Sequence, residues 1–200
     1  MCPVQLGTEP DISCVREKQQ LQEGRYKVNG FLLLIPFFIV RFGLLAALNP
    51  EAVRRAAYFA PMRDKERIAY CIYQISNAGI FIYLIFLKVR MEDAWWFYCG
   101  AACYLLGLCL CEITIANFAS PNDAGLNRNG IYKFSRNPMY IAYFIHFIGM
   151  ALLTQSWILA SMVLVFQISA HWIILAEERW CLKKFGAAYE DYMRSVRRYL

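Results

Sequence analysis

The chain has 200 residues, 59% of them hydrophobic and 16% aromatic, and carries a formal charge of +6 at pH 7. With a mean hydropathy of +0.35, it is too apolar for an ordinary soluble domain and reads as one membrane-embedded domain. The excess of positive charge is explained by basic residues flanking apolar runs and by attraction to anionic lipid, so nucleic acid is not implied as a partner.

Residues 1–27 hold Pro3, Gly7, Pro10, Gly24 and several charges, with no apolar core followed by a small-residue cleavage site. They are expected to form a polar extension, not a secretory leader, with an interfacial helix over Ile12–Glu23 as the alternative. Three apolar runs follow, at about 28–48, 67–87 and 95–118, each long enough to cross about 30 Å of hydrocarbon as a helix. A fourth block, about 139–176, is interrupted at Thr154, Gln155 and Ser156 and reads as two helices joined by a tight turn. The expected fold is an all-α integral membrane protein with five transmembrane helices, the last two a tight hairpin, followed by a cytoplasmic C-terminal helix. Residues 28–200 form its single domain.

Five spans put the termini on opposite sides. One choice gathers Arg54, Arg55, Arg63, Lys65, Arg67, Arg128, Lys133, Arg136, Arg179, Lys183, Lys184, Arg194, Arg197 and Arg198 on one face, against Arg16, Lys18, Arg25, Lys27, Lys88 and Arg90 on the other. The positive-inside rule then predicts an outside N-terminus and a cytoplasmic C-terminus. The long polar segments, about 49–66, 119–138 and 177–200, fall on that same inside face, where function is expected.

Five of the eight cysteines, Cys71, Cys99, Cys103, Cys109 and Cys111, lie in apolar helices. No histidine or second cysteine pair accompanies Cys99 and Cys103 at zinc-ligand spacing, so they read as small buried hydrophobes and no metal is expected. Charges within spans are more informative, because each costs about 2.5–3.5 kcal/mol on insertion scales. Arg41 and Glu112 are two such charges, and mutual pairing or snorkelling is expected of them. Between spans, Pro121, Asn122, Asp123, Gly125, Asn127, Asn129 and Gly130 are turn formers able to present backbone amides and carbonyls to a ligand. In the last span Gln167, His171 and Glu178 lie within about 40° on one helix face. That polar stripe ends beside Glu177 at the membrane exit and marks a candidate cofactor or substrate pocket. Pro138 suits the first turn of the preceding helix, and leaves that helix's free amides, close to Tyr140, facing the same mouth.

The stretch GIYKFSRNPMY (130–140), the pair Glu177 and Glu178, and the tail FGAAYEDYMRSVRR (185–198) together resemble the isoprenylcysteine carboxyl methyltransferase family. Its members carry Gly-x-Tyr-x-x-x-Arg-His-Pro-x-Tyr, a Glu-Glu pair and an FG-x-x-Tyr-x-x-Tyr tail. The resemblance covers the C-terminal third. It implies a small membrane enzyme binding S-adenosylmethionine at the cytoplasmic face and methylating a lipophilic small molecule, lipid or prenylated substrate. Leu126, Gly130, Ile131 and Tyr132 would line the cofactor; Arg136, Asn137 and Tyr140 would hold it at the helix start, with Glu177 and Glu178 meeting its ribose or ammonium group. Arg198 would orient an anionic substrate group, with Arg197 as its near-equivalent, while Glu178 or His171 would take a proton from an amine or hydroxyl acceptor. Position 137 is Asn where that family has His, and Asn-Pro-Met-Tyr is similar to the motif of phospholipid N-methyltransferases. Two other readings share this arrangement: an NADPH-dependent membrane sterol or steroid reductase, and a non-enzymatic membrane scaffold.

Overall fold

The computed structural model describes residues 28–91, 94–121 and 125–199; the polar extension and the helix considered over residues 12–23 lie outside them. The first helix, α1 (Gly30–Leu48), changes register along its length. It starts as a 3-10 turn over Gly30–Leu33, becomes α-helical over Leu34–Phe38, widens to a π-helix over Ile39–Leu44 and closes as α-helix over Leu45–Leu48. Next comes the short α2 (Pro50–Ala57), started by Asn49, whose side-chain oxygen accepts from the amides of Glu51 and Ala52, with Pro50 at the first position where no N–H is needed. The long α3 (Asp64–Phe86) and α4 (Trp95–Ala119) follow. After a 3-10 turn over Gly130–Lys133 come α5 (Pro138–Leu153), α6 (Trp157–Phe185) and α7 (Ala187–Ser195).

Among the described residues four helices, α1, α3, α4 and α6, are long and apolar enough to cross a membrane, where the sequence predicted five spans. The remaining one, α5, has 16 residues and at 1.5 Å per residue is about 24 Å long, short of about 30 Å of hydrocarbon. It is cut short by the turn at Thr154–Ser156. There Gln155 has φ +49°, Thr154 N–H donates to the Met150 carbonyl and Ser156 N–H to that of Ala151, and Ser156 then caps α6 by accepting from Leu159 N–H at 3.2 Å. Across this turn Phe147 packs on Phe166 with centroids 5.6 Å apart, and Tyr140 meets Glu177. At its far end α6 continues nine residues past 176, because 177–185 holds no helix breaker. Gly186, at φ +54°, stops it.

Small residues let α4 and α5 approach closely. A side chain at Gly107 would overlap the His146 backbone, and one at Gly149 the backbone of Tyr104, the small-residue contact expected between helices in lipid. His146 is fully buried in this seam, with Nδ1 3.0 Å from the Tyr104 carbonyl oxygen. The cysteine expectation needs correction: Cys71, Cys99 and Cys109 are exposed, Cys103 is half-buried, and only Cys111 of the five is buried. On a membrane helix an apolar outward face meets lipid, so a small hydrophobe there needs no cover from protein.

The elements define two ends. At one, Gly30 N–H donates to the Leu87 carbonyl and Arg90 N–H to that of Leu153. At the other, Asn49 Nδ2 donates to Ala119 O at 3.0 Å, Arg55 to Phe118 O at 3.1 Å and Arg179 to both oxygens of Glu66 at 2.6 Å. The three long polar segments meet at this second end.

Candidate functional site

At that end a cavity of about 530 Å³ opens between the helices α1–α7 and residues 125–137, a size that suits a cofactor or small ligand. Its loop wall is set by Gly130. At φ +54° this residue lies against the Asn117 side chain so closely that a Cβ would collide with it. Asn117 Oδ1 in return accepts from Ile131 N–H at 2.8 Å. The turn thus fixed buries Tyr132, whose carbonyl accepts from the Tyr192 hydroxyl of α7 at 2.6 Å. Tyr189 and Tyr192 pack with Leu126 in a small apolar cluster. Burial pushes the hydroxyls of Tyr132, Tyr189 and Tyr192 above the ordinary tyrosine range, so all three remain neutral donors at neutral pH.

The two consecutive glutamates have different surroundings, since neighbours on a helix point about 100° apart. Glu178, only 4% exposed, sits between two guanidinium groups. Arg136 Nη2 is 2.9 Å from its Oε1, and Arg198 approaches with Nη2 at 2.8 Å from Oε2 and Nε at 3.1 Å from each oxygen. The hydrogen bonds it donates to Glu178 hold the Arg198 guanidinium above its already high ordinary pKa. Glu177 faces the cavity and accepts from the Tyr140 hydroxyl at 3.1 Å.

The C-terminal segment is strapped onto the 135–137 motif. Arg136 N–H donates to Arg197 O at 3.0 Å; Ser135 Oγ and Asn137 Nδ2 donate to Arg198 O at 3.3 and 3.1 Å; and Tyr199 shares a 2.7 Å hydrogen bond with Nδ1 of His171.

Of the residues singled out in the sequence, Leu126, Tyr132, Arg136, Asn137, Tyr140, Glu177 and Glu178 line the cavity, whereas Gly130, Ile131, His171 and Arg198 do not. Gly130 and Ile131 shape the wall from behind through Asn117. His171 holds Tyr199, and Arg198 holds Glu178. Asn137, expected to hold a cofactor, spends its side-chain donor on the Arg198 carbonyl. Arg41 does not pair with Glu112, which is exposed on α4. Instead Arg41 lines the cavity, as do Arg54, Arg55, Tyr73, Trp180 and Lys184, none of which carried a site motif. Cys181 lies within α6 on the cavity wall.

Several buried polar atoms on this wall have no hydrogen-bond partner among the described residues: Arg136 Nε and Nη1, Asn127 Oδ1 and the Tyr143 hydroxyl. Unsatisfied groups of this kind are costly unless a ligand meets them. Residues 111–188 match the family model described as phospholipid methyltransferase. The matched stretch runs from the second half of α4 through the Gly130 turn and α5 to the first residues of α7, and so contains the Arg136–Glu178 pair, Tyr140 and Glu177. Arg41, α2, Tyr189, Tyr192 and Arg198 lie outside the phospholipid methyltransferase match. No curated protein and no solved structure matches the chain.

Proposed function

We propose that the chain is an integral-membrane S-adenosylmethionine-dependent methyltransferase whose acceptor is a lipophilic molecule, either an isoprenylcysteine-like carboxylate or a lipid amine. One observation carries this reading: the phospholipid methyltransferase match and the cavity with orphaned polar atoms coincide on the same residues, Arg136, Tyr140, Glu177 and Glu178.

The donor set suits the cofactor. Arg136 has two guanidinium nitrogens, Nε and Nη1, unpaired among the described residues and available to a carboxylate, Glu177 offers an ammonium or sulfonium a carboxylate that no cationic side chain among the described residues pairs, and Tyr132, Tyr189 and Leu126 give apolar walls for an adenine. When bound, S-adenosylmethionine supplies a methyl group already activated on sulfur. The residues then have mainly to position: an acceptor atom held in line at about 3 Å, with water excluded, gains most of its acceleration from orientation. The clamp of Glu178 on Arg136 fixes the guanidinium that would orient the cofactor. A carboxylate acceptor needs no base. For an amine, Glu177 is the group placed to take the proton, because both Glu178 oxygens are held by arginines and His171 lies outside the cavity.

The site is read as cytoplasmic and the N-terminus as outside, supported by the lysines and arginines concentrated at the cavity end. Residues 28–200 act as one domain, its cofactor region spanning about 119–200. Titrating the purified protein in detergent with S-adenosylhomocysteine and with NADPH tests the proposal. Saturable binding of S-adenosylhomocysteine is expected; binding of NADPH alone would assign a reductase, and binding of neither a scaffold.

A further inference from the structure

The phospholipid methyltransferase match begins at residue 111, yet one wall of the cavity comes from residues far upstream. The π-helical segment Ile39–Leu44 carries Arg41, and such local widening of a helix concentrates at functional positions. The Arg41 guanidinium lies 5.9 Å from the Tyr143 ring centroid and 5.7 Å from that of Phe42. Its Nη2 reaches the Ala56 carbonyl of α2 at a long 3.5 Å, and no carboxylate among the described residues pairs with it. Tyr143 is 7% exposed, lines the same cavity, and its hydroxyl has no partner among the described residues. Arg54 and Arg55, within one turn of Ala56, also line the cavity. Arg55 is partly engaged at Phe118, through the carbonyl at 3.1 Å and over the ring at 5.1 Å.

A guanidinium only donates hydrogen bonds, and a tyrosine hydroxyl beside it is free to donate its own. One kind of ligand satisfies both groups at once, an oxygen acceptor carrying negative charge. Charge balance supports this. Besides Glu178, already neutralised by arginines, Glu177 is the one carboxylate on the wall among the described residues, facing Arg41, Arg54, Arg55 and Lys184. A positively charged methyl donor would add to that imbalance; an anionic acceptor relieves it.

We propose that Arg41 and Tyr143, with Arg54 and Arg55 behind them, form an oxyanion site for the phosphate or carboxylate of a membrane lipid, making the acceptor an anionic-headed lipid. This rests on the methyltransferase reading only for calling the lipid an acceptor.

The test uses the full chain in dodecylmaltoside micelles, with retention of dioleoylphosphatidate, oleate and dioleoylglycerol measured by native mass spectrometry and S-adenosylhomocysteine affinity measured in parallel. Wild type retains phosphatidate or oleate about tenfold more strongly than the neutral dioleoylglycerol. Arg41→Gln, which removes a charge from a span and so does not hinder insertion, brings that preference to within about twofold, and Tyr143→Phe lowers it partway. S-adenosylhomocysteine affinity changes by less than about twofold in both variants. Equal retention of anionic and neutral lipids by wild type, or an unchanged preference in Arg41→Gln, overturns the proposal. So does a parallel loss of S-adenosylhomocysteine affinity in Arg41→Gln, which would assign the wall to the cofactor's carboxylate. Displacement of phosphatidate by an equal concentration of inorganic phosphate overturns it in favour of a free-anion site. An anionic-lipid preference that depends on Arg41, in a protein that does not bind S-adenosylhomocysteine, upholds the oxyanion site and sinks the methyltransferase reading instead.

Discussion

Replacing Glu178 by Gln separates the clamp from Glu177, the carboxylate that faces the cavity. The side chain of Arg136 is 7% exposed and stands 2.9 Å from Glu178. At an effective permittivity of about 20, attraction across that distance is about 6 kcal/mol. Desolvation of both charges offsets part of it, and removing one member of a buried pair costs about 3–5 kcal/mol net. Arg198, with a third of its side chain exposed, recovers hydration and places Glu178→Gln toward the lower end, about 3 kcal/mol. Glu177→Gln is the control. The hydrogen bond it accepts from Tyr140 can be accepted equally by a glutamine carbonyl, so the stability change stays below about 1 kcal/mol. Thermal unfolding in detergent and calorimetric titration with S-adenosylhomocysteine read both effects. Glu178→Gln is expected to lower the melting temperature and weaken binding by about a hundredfold, while Glu177→Gln weakens binding and leaves melting nearly unchanged. Wild-type melting and affinity in Glu178→Gln would refute the clamp, as would an equal loss of stability in Glu177→Gln.

Three further outcomes follow from the same geometry. Gly130→Ala puts a Cβ into the Asn117 amide at a positive φ and costs about 1–2 kcal/mol or more, read as a lower melting temperature and weaker S-adenosylhomocysteine binding; Gly125→Ala, whose added Cβ meets nothing within 4 Å, bears the backbone strain alone and melts higher than Gly130→Ala. Asn137→Ala removes the amide donor to Arg198 O, worth about 1 kcal/mol, so trypsin cleaves after Arg197 and Arg198 about fivefold faster. Because burial raises the Tyr192 hydroxyl in the folded state, its stabilising contribution is complete below the unfolded tyrosine pKa of about 10 and is lost as pH rises above it; the alkaline fall in melting temperature should therefore be shallower in Tyr192→Phe.

The sequence made the membrane helices legible because uninterrupted apolar length is a direct physical requirement of lipid. The turn at Thr154–Ser156 was equally visible as the one polar break in a long apolar block. The end of α6 was not: a change in polarity at Glu177 marks where a span leaves the hydrocarbon, whereas the helix itself continues until Gly186. Motif residues gather at the end of the bundle that holds the cavity, but their different contacts were not legible. Glu177 and Glu178 are chemically identical and adjacent, and only the helix phase relative to Arg136 and Arg198 decides which is clamped. Arg41 stood out as a charge in an apolar run. Its orientation depends on the π-helical register of Ile39–Leu44, which no periodicity in the sequence reveals, and so Glu112 looked like its natural partner. His171 was prominent as a polar group on a greasy helix, yet it faces Tyr199 of the strap, a contact 28 residues away that depends on the reversal at Gly186.

The most direct measurement of the account is transfer of a labelled methyl group from S-adenosylmethionine in membranes containing the protein, followed by separation of lipid, protein and water-soluble fractions. Label is expected in the lipid fraction, and it should fall to background in Glu177→Gln at wild-type protein levels. Label absent from the lipid fraction, or present there undiminished in Glu177→Gln, would contradict it.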